Sequence, residues 1–198
     1  MKRLDSKGFT LIELLAVIVI LALLVLIAIP NVSNLISRAT TGAFVTEATE
    51  YAKVLEQDYL LSQIGGSFTN SSEKSLLKNV RLSNGNSYTY YCMTIEQLNK
   101  DQMNKSNSAG YAGVVEAFYP NSTVGTSNAI TVVTMTNGSY VLNSVSLTTL
   151  AENAYQNQEV IGGMYAGTES PVVACATDED NSDAIERGDA IINGGQFR

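Results

Sequence analysis

The sequence predicts an α+β fold in which a long protruding N-terminal α-helix packs on an antiparallel β-sheet. Three observations carry that prediction. An apolar run extends unbroken from Leu14 to Ile29 and stops at Pro30. A helical pattern then resumes at once and continues to about Ser62. Beyond Gly66 the period shortens to two, and Asn137-Gly138 separates two alternating runs in the manner of a type I′ hairpin.

The chain opens on a short basic head, Lys2, Arg3 and Lys7, followed by Gly8-Phe9. From Phe9 to Ile29 only Thr10 and Glu13 are polar. At about 1.5 Å per residue this stretch reaches roughly 30 Å, the thickness of a bilayer core. The basic head ahead of it keeps the N-terminus in the cytoplasm and sends the rest outward, as a single-pass membrane protein. An ordinary secretory signal is cut after its apolar run. Here the Gly8-Phe9 bond lies before it, so cutting there would remove the charges and keep the apolar helix.

After Pro30, the residues Val32, Leu35, Ile36, Ala39, Ala43, Ala48, Tyr51, Ala52, Leu55 and Tyr59 recur at three- and four-residue spacing, while Glu47, Glu50, Lys53 and Glu56 fall off that stripe. Gly65-Gly66 ends the helix, and Pro30 and Gly42 are its expected bends. A helix of about 55 residues, roughly 80 Å long, is too long for a domain of this size. Half of it must bury against the membrane or against further copies of itself. The predicted strands are 87–93, 112–119, 129–136, 139–145 and 172–176, the last carrying Cys175. Thr94 and Gln97 form a capping box opening a short helix to about Met103, and Thr149 opens another. The tail from Thr177 to Arg198 reads as a surface loop. The resulting division is 1–8, 9–29, 30–64 and a β-rich head over 65–198.

The formal charge is −7, from 12 basic and 19 acidic side chains. Such acidity speaks against phosphate-backbone binding, and no nucleic-acid partner is expected. There is no histidine, which removes the usual acid–base shuttle, and no GxSxG, P-loop or HExxH pattern occurs; no enzymatic activity and no cofactor are expected. Cys92 and Cys175 would both be exported, where a disulfide is favoured over two separate buried thiols. Asp178, Asp180 and Asp183 alternate oxygen ligands in the manner of a calcium loop, although Asp183 stands where an EF-hand requires glycine; a solvated acidic loop is the simpler reading. Tyr88, Tyr90 and Tyr91 suit either sheet packing or an adhesive aromatic patch.

Gly8-Phe9-Thr10-Leu11 followed by Ile12-Glu13-Leu14-Leu15 resembles the class III leader of type IV pilins and of the pseudopilins of type II secretion and competence systems. The resemblance implies cleavage between Gly8 and Phe9 by a prepilin peptidase and methylation of the new Phe9 amine. It assigns Phe9, Thr10 and Glu13 to assembly, with the Glu13 carboxylate meeting the N-terminal amine of a neighbouring subunit, and it makes Pro30 the helix-kinking proline. The family pattern often has glycine before that proline, whereas Ala22–Ile29 has none. Cys92 and Cys175 resemble the disulfide that pins the C-terminal loop of many pilins, at a longer spacing.

The implied function is a structural subunit of a surface filament, for adhesion or motility. The implied partners are other pilin subunits, the peptidase, an inner-membrane assembly platform, membrane lipid before assembly, and a host or surface receptor. The alternatives are a pseudopilin and an adhesin held by an uncleaved anchor.

Overall fold

The computed structural model describes residues 10–64, 76–103, 110–122, 129–154, 164–167, 174–176 and 181–193. The chain forms two compact units, Met1–Thr40 and Thr41–Arg198, and helix α1 (Leu11–Gln63) belongs to both. Gly65-Gly66, expected to end it, lie outside the described residues.

In the first unit the described side chains of α1 are exposed, Val32, Leu35 and Ile36 among them. In the second, burial begins at Thr41 and follows Phe44, Val45, Ala48, Tyr51, Ala52, Leu55 and Tyr59. The stripe is therefore shifted from the predicted one. Ala39 and Ala43 face solvent, and the larger Phe44 and Val45 take the core positions.

Among the described residues six strands follow: β1 (Leu76–Arg81), β2 (Ser87–Thr94), β3 (Ala112–Pro120), β4 (Ile130–Thr136), β5 (Tyr140–Ser146) and β6 (Met164–Ala166). They lie side by side in chain order, every neighbouring pair antiparallel. The α+β class predicted from the sequence is the class observed, and four of the predicted strands are β2 to β5. β1 and β6 were not predicted. The first is broken by Lys78-Asn79 and the second is three residues long, so neither shows a clear period of two.

Alternate residues of the strands supply the front face that receives α1: Tyr91 and Met93, then Val115, Ala117 and Tyr119, then Val133 and Met135; on β5 a register shift puts Leu142 and Val145, three residues apart, on the same face. Several polar groups beneath the helix are paired, whereas the buried Tyr119 hydroxyl and Asn99 Nδ2 have no hydrogen-bond partner among the described residues. The Tyr91 phenol donates to the buried Asp58 carboxylate, and Thr131 Oγ1 donates to Glu56 Oε1 at 2.7 Å. Tyr51 donates to Asn99 Oδ1 at 2.8 Å, and burial, offset in part by that bond, pushes its phenol up to about 12.

The back face is also covered, and this was not foreseen. Val80, Leu82, Tyr88, Tyr90, Cys92, Val114 and Phe118 pack with Ala176 and Ala184. Tyr88, Tyr90 and Tyr91 are all buried, which removes the adhesive-patch reading. Much of the cover is helix α4 (Ser182–Ile192), in a stretch predicted as loop. A Cβ at Gly188 would fall 2.7 Å from Leu82 Cδ2 and 2.8 Å from Phe118 Cε1, so any larger residue would require those side chains or the helix to shift. The same glycine disfavours helix by about 1 kcal/mol relative to alanine, which hid the element from a propensity reading. Around Cys175, residues 174–176 form no strand, contrary to expectation.

The local helix signals fare better. Thr94 and Gln97 make the reciprocal capping box, opening α2 (Ile95–Gln97), which runs into a π turn over Leu98–Gln102. Helix α3 (Leu147–Ala154) starts two residues before Thr149, with Ser146 Oγ accepting from the Thr149 N–H at 3.2 Å. The Asn137-Gly138 hairpin exists, but not as type I′. Gly138 has φ +82° while Asn137 has none of the positive φ that type requires. Instead Asn137 Oδ1 accepts from the N–H groups of Ser139 and Tyr140 at 3.0 and 2.9 Å, an Asx turn that holds a longer loop.

Candidate functional site

The start of α1 is built around one carboxylate. Glu13 Oε2 accepts from the Thr10 backbone N–H at 2.8 Å and from the Thr10 hydroxyl at 2.7 Å. The Glu13 N–H in turn donates to Thr10 Oγ1 at 3.3 Å, and the Leu14 N–H donates to the Thr10 carbonyl at 3.2 Å. This is a capping box: two donors that the first turn of a helix would leave orphaned are satisfied reciprocally. The sequence reading assigned Thr10 and Glu13 to assembly without seeing that they bond each other. The signal was present as Thr-x-x-Glu directly ahead of an apolar run.

From Leu11 to Ile29 the helix has a mean hydropathy of 3.3, and none of the segment is buried by the rest of the chain. Its 19 residues reach about 28 Å, enough to cross a bilayer core. Pro30 follows within the same helix and has no N–H to offer the carbonyl one turn back. Just beyond it, Ser33 Oγ donates to the Ile29 carbonyl at 3.1 Å and Thr40 Oγ1 to the Ile36 carbonyl at 3.0 Å. Hydroxyls turned back onto the helix in this way leave its outer surface apolar at Val32, Leu35 and Ile36, which are all exposed.

Of the other residues singled out from the sequence, Gly8 and Phe9 lie outside the described residues, as do Asp178 and Asp180. Asp183 sits in the first turn of α4. Among the described residues no cluster of three His, Cys, Asp or Glu side chains could hold a metal ion. Cys92 on β2 and Cys175 are joined in a disulfide across the back of the sheet, with Cα atoms 5.8 Å apart.

The family model of the prokaryotic N-terminal methylation motif matches residues 3–29. The chain carries a class III signal peptide of the type IV pilin and pseudopilin family. The matched motif thus covers Arg3 and Lys7 of the basic head, the Gly8-Phe9 junction, the Thr10–Glu13 box and the apolar segment, and ends just before Pro30. An apolar N-terminal helix that continues onto an antiparallel sheet is consistent with a pilin-like fold. No curated protein and no solved structure matches the chain. The motif implies processing by prepilin peptidase and assembly with other pilin subunits. It also suits membrane anchoring before assembly.

Proposed function

We propose that this chain is the structural subunit of a type IV pilus, cut between Gly8 and Phe9, methylated at the Phe9 amine and polymerised through α1 into a surface filament. The observation that carries the reading is the Leu11–Ile29 segment. It is apolar apart from Glu13, unburied by its own chain, and carries that carboxylate in its first turn, inside the pilin-type motif. Such a surface needs lipid first and other helices afterwards. An isolated carboxylate at mid-membrane costs on the order of 2.5–3.5 kcal/mol on insertion scales, and less near a helix end. The two Thr10 donors lower that cost while the subunit waits in the membrane. On assembly the Phe9 amine of a neighbouring copy offers Glu13 a full opposite charge, so pairing favours one axial register. The exposed Val32, Leu35 and Ile36 extend the apolar packing surface past the bilayer. The head over 65–198 is large for a pseudopilin, which favours a surface pilus for adhesion or motility. Its acidity argues against a nucleic-acid partner.

The test is mass spectrometry of the N-terminal peptide in material sheared from cells. A peptide beginning at Phe9 with one added methyl group is the expected result. The same peptide confined to the membrane fraction would favour a pseudopilus, and an intact Met1 would restore the uncleaved anchor.

The proposed pairing also predicts how Glu13→Val should behave. Insertion into the membrane is expected to be unchanged or improved, because a charge is removed from the apolar segment. Filament yield should fall at least tenfold. Wild-type filament yield from this variant would end the pairing idea.

A further inference from the structure

Glu116 on β3 is a buried carboxylate at the back of the sheet, with only 3% of its side chain exposed. Its Oε1 accepts twice, from the Tyr90 phenol at 2.6 Å and from Arg187 Nη1 of α4 at 2.7 Å. Each of these donors is also bonded to the segment that carries Cys175. The Ala176 N–H donates to the Tyr90 oxygen at 3.2 Å, and Arg187 Nη1 donates to the Ala174 carbonyl at 3.2 Å. The backbone is therefore held on both sides of Cys175 by groups that meet on a single carboxylate oxygen. Glu116 is, moreover, the direct cross-strand partner of Cys92. The protonation states suit the arrangement. Burial and the Glu116 charge both hold the Tyr90 phenol in its neutral, donating form. Burial works against the Arg187 charge, but Glu116 more than compensates and keeps it ionised.

We propose that Glu116, acting through Tyr90 and Arg187, positions Cys175 over Cys92 while both are still thiols, so that oxidation closes the ring within one chain rather than between copies. Subunits concentrated in a membrane expose their thiols to those of neighbouring subunits, and a chain with one cysteine on the sheet and one near the C-terminus has two ways to pair. The polar clasp removes the choice. Oxidation then proceeds by thiol–disulfide exchange with a disulfide oxidant of the exported compartment. One thiolate attacks the oxidant's sulfur, and the second displaces it from the mixed disulfide. The Cys92–Cys175 bond forms, the oxidant's S–S bond breaks, and two electrons and two protons pass to the oxidant as two thiols.

The experiment uses the full chain, reduced in detergent micelles and reoxidised with glutathione disulfide. Intramolecular and intermolecular products are separated on non-reducing gels, and free thiols are trapped by alkylation. Tyr90→Phe removes one hydroxyl and Arg187→Met one cation. Each should lower the effective concentration of the two thiols about tenfold or more, as expected for a lost buried hydrogen bond to a charged group, and should raise the disulfide-linked dimer. Met135→Ala destabilises the front face instead and should leave the ratio of ring to dimer unchanged. Wild-type reoxidation by both back-face variants would overturn the proposal, and so would an equal loss in Met135→Ala. A second measurement needs none of these variants. In the chain with Cys92→Ser and Cys175→Ser, the amides of α4 should retain their protection from hydrogen exchange. Free exchange there would mean that the disulfide makes the dock, and the proposal would fail.

Discussion

Replacing Glu116 by alanine should lower the stability of the chain by about 3–5 kcal/mol, the cost of removing one partner from a buried ion pair. The effect is large because three things happen together. The Arg187 guanidinium, with 10% of its side chain exposed, loses its carboxylate. The Tyr90 phenol loses its acceptor. A cavity opens at β3 beneath α4. Against a total stability of about 5–15 kcal/mol for an ordinary domain, such a loss is a substantial part of the whole. Urea unfolding of the full chain in detergent, followed by circular dichroism, measures it. A loss under about 1 kcal/mol would show that water reaches the site and that the pair is no more than a surface bridge. The companion variant, Glu116→Leu with Arg187→Met, should recover most of the loss, because a buried pair replaced by apolar groups of similar volume is often neutral.

Removing the disulfide with Cys92→Ser and Cys175→Ser should have a comparable effect by a different route. The bridge spans 83 residues, and closing a loop of that length restricts the unfolded chain by about 4–5 kcal/mol in the chain-entropy model, within an observed range of roughly 2–5 kcal/mol for native bridges. The urea midpoint should therefore fall steeply. A midpoint unchanged from the parent would mean that the bridge contributes nothing to stability.

How much of this was legible in sequence depended on how local the determining pattern was. The leader, the Gly8-Phe9 junction, Glu13 and the apolar run are contiguous, and a linear reading places all of them. The Thr94–Gln97 capping box and the central strands are equally local. The buried half of α1 was placed approximately, with Phe44 and Val45 overlooked because the small residues around them also fit a helical stripe. The covered back face left a trace that was not used. Val114 to Tyr119 is nearly all apolar, as expected for a strand buried on both sides, and is interrupted only by Glu116. A lone carboxylate in such a run calls for a buried cation. Its partner lies 71 residues away in a helix that contains a glycine and several acids. Neither spacing nor propensity reaches that far. The capping box of Thr10 and Glu13 was fully local, and was missed because both residues were read only as letters of a motif.

The sheet order, β1 to β6 in chain order, has a consequence for how the head is made. Each strand pairs with the one that precedes it in the chain, so loop closures during sheet formation are short and each step can be rewarded as it is taken. If the head is exported from its membrane-proximal end, as the proposed function requires, the front core can be completed progressively, with the second half of α1 already present as a template. Only the last stretch breaks the rule. α4 and Cys175 must return from the C-terminal end to β1, β2 and β3, closing the longest loops at the final moment. Until they do, Val114, Tyr90 and Phe118 face water, and a half-exported head is a sticky one. On the proposed reading, the docking of α4 and Cys175 is the step that makes the head safe to present.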